Sequence, residues 1–181
     1  VTLAVKQATN TIPIVVAAAG DLVGAGLVAS LARPGGNVTG STNIDPDLSA
    51  KRLELLKESL PKLSRVAVLY HGGPGGDDEE LKETQAAART LKIQVQPLEV
   101  KDPAQFSDRY AAMKEERATA LIIFHGSFTS FHQTQLVALS AKNRLPTMCG
   151  GPAWSDACCL ISYGHDRSHQ GVSGFMPSGD F

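Results

Sequence analysis

Apolar residues in this chain gather into short unbroken runs, separated by longer stretches in which they recur every third or fourth position. Ile12 to Ala17 is a continuous apolar run of strand length, the pattern of a strand covered on both faces. Residues 2 to 9 before it read as the tail of a helix. Gly20-Asp21 forms the next turn, with Asp21 placed as a helix N-cap. Leu22, Leu27, Val28 and Leu31 then predict an apolar helical stripe, studded with Gly24 and Gly26 and stopped by Arg33-Pro34-Gly35-Gly36. Asn37 to Gly40 reads as a short strand.

The same alternation continues downstream. Leu53, Leu56 and Leu60 share one face of a helix over residues 48–60, and Pro61 follows its end. Arg65 to Tyr70 is a strong strand, followed by the loop His71-Gly72-Gly73-Pro74-Gly75-Gly76. Residues 77–91 predict a helix whose acidic start, Asp77-Asp78-Glu79-Glu80, suits the positive end of the helix dipole. Ile93 to Val100 is a strand. Asp102 caps a helix that carries Phe106, Tyr110 and Met113 at helical spacing. Ala120 to Phe124 is a strand, residues 128–142 a helix, and Leu145 to Met148 and Cys158 to Ser162 are short strands.

Strand, helix, strand in this order argues βαβ units and a parallel sheet. Right-handed crossovers bring the loops that follow strands to one sheet edge, where open α/β sheets bind ligands. The candidate loops are Ala18 to Asp21, His71 to Gly73, His125 to Ser127 and Gly150 to Trp154.

Composition narrows the picture. The chain has 181 residues, 43% hydrophobic and 19% charged, with a net charge of −1, which is ordinary globular composition. No basic stripe stands out, so a nucleic-acid partner has no support. No membrane-spanning run or signal segment is present. The sequence begins at Val1 in what reads as a helix end, so its natural N-terminus is expected to lie upstream. Cys149, Cys158 and Cys159 form no CxxC and read as small core residues, with a reactive thiol at Cys149 as the alternative.

Candidate chemistry is sparse. Gly24-Ala25-Gly26-Leu27-Val28-Ala29 matches the G-x-G-x-x-A dinucleotide fingerprint, with Asp45 near the place of a ribose-binding acid. This is the basis for an alternative reading as an NAD-dependent oxidoreductase domain using Gly24, Gly26 and Ala29. Gly24 lies past the strand end, however, and Asp21 would set a negative charge against the pyrophosphate. Close helix–sheet packing accounts better for both glycines. Asp21, with Gly20 beside it, offers a carboxylate to a ligand ammonium, while the free N–H groups of the same helix start suit a carboxylate. That combination fits a zwitterion. His71 and His125 each follow a strong strand and are candidates for lining a cleft. Trp154, in a Gly-rich loop, either stacks on a ligand or covers the core. His165 and His169 lack framing carboxylates, so no metal site is expected. Neither a G-x-S-x-G elbow nor a Walker A sequence occurs, and catalysis has no positive support.

The strings TIPIVVAAAGDLVGAGLVASLARPGGNVTG, LSAKRLELLKESLPKLSRVAVLY and LISYG resemble the ABC-transporter substrate-binding proteins of the type I periplasmic-binding fold, in the branch with tryptophan- and tyrosine-type binders. The resemblance covers about residues 1–166. It implies two α/β lobes with parallel sheets and flanking helices, lobe one being incomplete. Residues 1–42 would be the C-terminal fragment of lobe one, residues 43–163 a Rossmann-like lobe two, and residues 164–181 an irregular tail, with departure from the family pattern expected from Arg167 onward. In the family the loop after the first strand reads Asp-Pro-Val with its Asp in the cleft. Here Asp21-Leu22-Val23 keeps the Asp and loses the Pro, and His71 stands where Asn is frequent. The resemblance further implies a solute-binding component of an ABC importer, taking an amino-acid-like ligand by closure about a hinge at Ser41, Thr42 and Asn43, without catalysis or cofactor. Its partners would be a membrane permease and an ATPase, and its location periplasmic or on an extracytoplasmic lipoprotein.

Overall fold

The computed structural model describes residues 2–19, 22–23, 25–42, 45–72, 77–151, 154 and 159–164. The chain divides into two compact units, Val1–Ile44 with Asp166–Phe181, and Asp45–His165.

The second unit is built on a five-stranded sheet in which every neighbouring pair is parallel. Its strands are β3 (Arg65–Tyr70), β4 (Gln94–Glu99), β5 (Ala120–Ile123), β6 (Thr147–Cys149) and β7 (Ile161–Ser162), in the order β4-β3-β5-β6-β7. Val66 to Leu69 of β3 and all of β5 are buried, as their unbroken apolar runs require. Pro97 lies in β4, at the sheet edge, where a missing N–H costs no central ladder bond. Helices α2 (Asp45–Ser59) and α3 (Asp77–Leu91) pack with one apolar cluster, which holds Leu53, Leu56, Val66, Val68, Ala88, Ile122 and Phe124. Helices α4 (Phe106–Glu115) and α6 (Gln133–Lys142) serve the other cluster, which holds Phe106, Tyr110, Met113, Leu121, Leu136 and Trp154. The Tyr110 hydroxyl ties these two helices by donating to the Leu136 carbonyl at 2.8 Å and meeting Ser140 Oγ at 2.7 Å.

Three expectations are corrected in this unit. The helix over 128–142 is split at His132 into α5 (Ser127–Phe131) and α6. The His132 N–H turns to the carbonyls of Phe128 and Ser130, which ends α5. The cysteines are not all reduced core residues, because Cys149 and Cys159 form a disulfide with Cα atoms 6.5 Å apart. The strand before Ser162 is also shorter than expected, beginning at Ile161.

The first unit contains α1 (Thr2–Ala8) and a parallel pair, β1 (Ile14–Ala19) with β2 (Val38–Thr42). Its core is small: Val16, Leu22, Leu27, Val28 and Val38, with Ile14 against them. The helix expected over residues 22–31 is absent from the described residues, which form turns and bends. The N–H groups of Leu27 and Val28 both donate to the Leu22 carbonyl, and Gly26 adopts φ +66°. The apolar residues reach the core by folding back over Leu22, so no helical stripe is needed. Lys6 closes the turn by donating to the Gly26 and Leu27 carbonyls. The fingerprint Gly24-x-Gly26 therefore does not open a helix here, and Gly24 itself lies outside the described residues. Burial of β1 on both faces is also corrected, since Val15 is 59% exposed while Val16 is buried.

Candidate functional site

Within the second unit the strands follow the order second, first, third, fourth, fifth, so the direction of winding reverses between β3 and β5. In such sheets the ligand crevice lies outside the carboxyl ends of the two strands flanking that reversal. Those ends deliver His71, directly after β3, and His125, two residues after β5.

His71 is held from two sides. Its backbone N–H donates to Asp77 Oδ2 at 3.0 Å, tying the loop to the first turn of α3. Its imidazole stacks on Phe128, with centroids 4.6 Å apart and planes 30° from parallel. Phe128 also packs on His132 at 4.9 Å, and both meet the edge of buried Phe106, at 5.9 and 5.6 Å. Aromatic pairs in these geometries contribute about 0.5–1.5 kcal/mol each beyond area burial. Phe131, 85% exposed, meets the other side of His132 at 5.1 Å. The result is a wall of rings that begins at the strand edge and ends in solvent.

The turn carrying His125 is fixed by Thr129. Its hydroxyl donates to the Phe124 carbonyl at 2.8 Å and accepts from the Gly126 N–H at 3.0 Å. The Trp154 indole N–H donates to His125 Nδ1 at 3.4 Å, and Ser130 Oγ lies 3.5 Å from the same nitrogen. With Nδ1 accepting, a neutral His125 carries its proton on Nε2. Trp154 is fully buried in the core, so it orients His125 and presents no open face for stacking.

Arg52 underlies this edge. It is 1% exposed and paired with Glu80, which is 2% exposed. Its Nε donates to the Tyr163 carbonyl at 2.8 Å, just past β7. A Cβ built on Gly150 would stand 3.2 Å from both Arg52 Cζ and His125 Cβ, so this glycine permits the two side chains to pack side by side. At the β3 end, burial first and the Glu99 carboxylate second push the Tyr70 phenol above its usual range.

Of the residues singled out from sequence, His71 and His125 flank the switch point, and Trp154 is joined to His125. Gly20, Asp21 and Asn43 lie outside the described residues. Ser41 and Thr42 end β2. Phe128, His132 and Arg52 were not anticipated. The i, i+4 spacing of Phe128 and His132 was the available signal for two of them. Among the described residues no group of three His, Cys, Asp or Glu side chains is gathered as a metal ion would need. Among them also, no helix is long and apolar enough to cross a membrane.

The parallel sheet and its switch-point order give the α/β fold of periplasmic-binding-protein-like structures. Residues 1–175 match the family described as ABC transporter substrate binding protein, and the chain belongs to that family. Over 71 residues it is 45% identical to the tyrosine-binding protein of Clostridioides difficile (strain R20291), an alignment covering 38% of this chain and 19% of that protein. The structure of an ABC domain in complex with L-Trp from Streptococcus pneumonia superposes with a TM-score of 0.85 at 23% identity, over 96% of this chain and 58% of that one. A conserved domain protein from Vibrio cholerae gives 0.85 at 25% identity, over 96% and 57%. The chain thus spans a little over half the length of these two structures.

Proposed function

We propose that this chain is part of the solute receptor of an ABC importer and that it receives an amino-acid-like molecule at the carboxyl edge of its five-stranded sheet, without catalysis. The observation that carries this reading is the position of His71 and His125 just past the adjacent strands β3 and β5 at the switch point, with the His71–Phe128 stack forming an aromatic wall there. A wall of rings favours a ligand with a flat side chain, in keeping with the tyrosine- and tryptophan-binding relatives. Asp21 and Gly20 would meet the ligand's charged backbone, with the ammonium on the carboxylate. Closure about Ser41, Thr42 and Asn43 would shift an open–closed balance toward the bound form. A membrane permease and its ATPase would receive the solute. An extracytoplasmic setting agrees with the Cys149–Cys159 disulfide, since such bonds persist in oxidising compartments.

The test is a titration of the chain with a panel of L-amino acids, NAD included as a control, read by thermal shift and by the imidazole resonances of His71 and His125. Saturable binding of one class is expected, led by tyrosine or tryptophan. A ligand present at one hundred times its Kd stabilises the folded chain by about 2.7 kcal/mol. Silence across the amino-acid panel, or a response to NAD alone, refutes the proposal.

A further inference from the structure

The disulfide ties the carboxyl end of β6, on the same sheet edge as His125, to the segment that enters β7. Cys149 is the last residue of β6, and Cys159 lies two residues before β7. Trp154, the partner of His125, lies between them in sequence. Around it the Trp154 N–H donates to the Gly151 carbonyl at 3.2 Å, the Tyr163 N–H donates to the Cys149 carbonyl at 3.0 Å, and Ser162 Oγ donates to the Gly151 carbonyl. The two cysteines differ in burial. Cys149 is fully buried, whereas Cys159 lines an open cavity of about 230 Å³ with Val137, Leu145 and Leu160.

We propose that the Cys149–Cys159 disulfide is a reducible latch that holds Trp154 against His125, so that the thiol state of this pair sets how His125 is presented at the sheet edge. A dithiol reductant reaches the pair from the cavity side. Its thiolate attacks Cys159 Sγ, the bond between the cysteine sulfurs breaks, and Cys149 leaves as a thiolate that takes up a proton. The reductant's second thiol then closes on its own sulfur in the mixed disulfide and releases Cys159 as a thiol. Two electrons and two protons pass to the pair, and the dithiol becomes a disulfide. Without the covalent tie, Trp154 loses its fixed place and its indole N–H no longer donates to Nδ1, which changes the hydrogen bonding of the His125 imidazole. Trp154 is here a positioning residue. The effect on solute affinity rests on the proposed place of His125 at the solute site, while the effect on Trp154 and His125 does not.

The chain supplies its own probe, because Trp154 is its single tryptophan. Peptide mapping without reduction is expected to recover the Cys149–Cys159 pair. Dithiothreitol should raise the free-thiol count from one to three, since two of the three cysteines are paired. It should also shift Trp154 emission to the red, increase its quenching by acrylamide, and change the ¹⁵N resonances of the His125 imidazole. Re-oxidation should reverse all of these. W154F, which keeps most of the bulk and removes the donor, should give the reduced-state imidazole spectrum in the oxidised chain. A Cys149→Ala/Cys159→Ala variant should show the reduced-state spectra with no reagent. Should that variant fail to fold, the reduced and re-oxidised natural chain decides alone. Recovery of Cys158 in the disulfide overturns the proposal. So do Trp154 emission and His125 resonances that stay unchanged at full reduction. If these respond and L-tyrosine still fails to bind in either state, the solute reading fails and the latch stands.

Discussion

The buried pair Arg52–Glu80 links three elements that are distant in sequence. Arg52 is on α2, Glu80 is on the first turn of α3, and the carbonyl bound by Arg52 Nε belongs to Tyr163 beyond β7. Replacing Arg52 with Met keeps the length and apolar stem of the side chain and removes the cation. The Glu80 carboxylate then stays 2% exposed opposite a thioether. Removing one partner of a buried ion pair costs about 3–5 kcal/mol, and losing the Nε hydrogen bond adds about 1 kcal/mol. At roughly 2–4 °C per kcal/mol, a loss of about 4–6 kcal/mol should lower melting by about 8–24 °C. The double variant Arg52→Met/Glu80→Leu removes both charges and should recover most of that loss, because apolar replacements of whole buried pairs are often neutral. Urea unfolding followed by Trp154 fluorescence reads this unit directly, since Trp154 lies within it. If Arg52→Met lies within about 1 kcal/mol of the natural chain, or the double variant is no more stable than the single, the pair is not an organising contact of this edge.

Two further outcomes follow from other contacts. Burial pushes the Tyr110 phenol up to about 12, so the folded chain holds that proton more tightly than the unfolded one. The associated stability is complete below about pH 10 and is lost as pH rises toward 12, by about 2–3 kcal/mol. Urea midpoints measured across that window should fall less steeply for Y110F, which instead loses about 1 kcal/mol at neutral pH; parallel slopes would contradict this. Gly40 sits at φ +158°, and a Cβ there would lie 2.1 Å from the Val16 carbonyl oxygen. G40A should weaken the β1–β2 pairing by on the order of 2–3 kcal/mol. Limited proteolysis should then cut faster in the first unit while Trp154-detected unfolding stays unchanged. Equal cleavage rates would show that the strand pair tolerates the methyl group.

What the sequence made legible were features with a local cause. Val66 to Leu69 of β3 and all of β5 are apolar because both faces are covered. The acidic start of α3 and the Asp102 cap before residue 103 are equally local. The stripe Leu22, Leu27, Val28 and Leu31 misled because its spacing fits a helix and a folded-back turn equally. The turn wins where Gly26 takes a positive φ and Leu22 accepts two N–H groups, which leaves Leu31 57% exposed. The disulfide was hidden for a different reason. Cys149 and Cys159 approach only because β6 and β7 are neighbours in the sheet, a fact of topology that residue spacing does not carry. Glu80 reads as one more charge of a solvated helix start until α2 brings Arg52 over it.

The same distinction governs the site. Strand ends announce themselves in sequence, so the positions of His71 and His125 just past β3 and β5 were legible. Which side chains are already committed to one another at those ends is a property of packing. His71 is stacked on Phe128, and His125 is hydrogen-bonded by a Trp154 whose loop is covalently closed. Ordering a free side chain on binding costs about 0.5–1.5 kcal/mol, so at the proposed solute site two imidazoles already held in place would spare the ligand roughly 1–3 kcal/mol. The second imidazole keeps its share of that advantage only while Trp154 keeps its place. At the proposed site, affinity would then depend on Trp154 and Phe128 as much as on the imidazoles they hold.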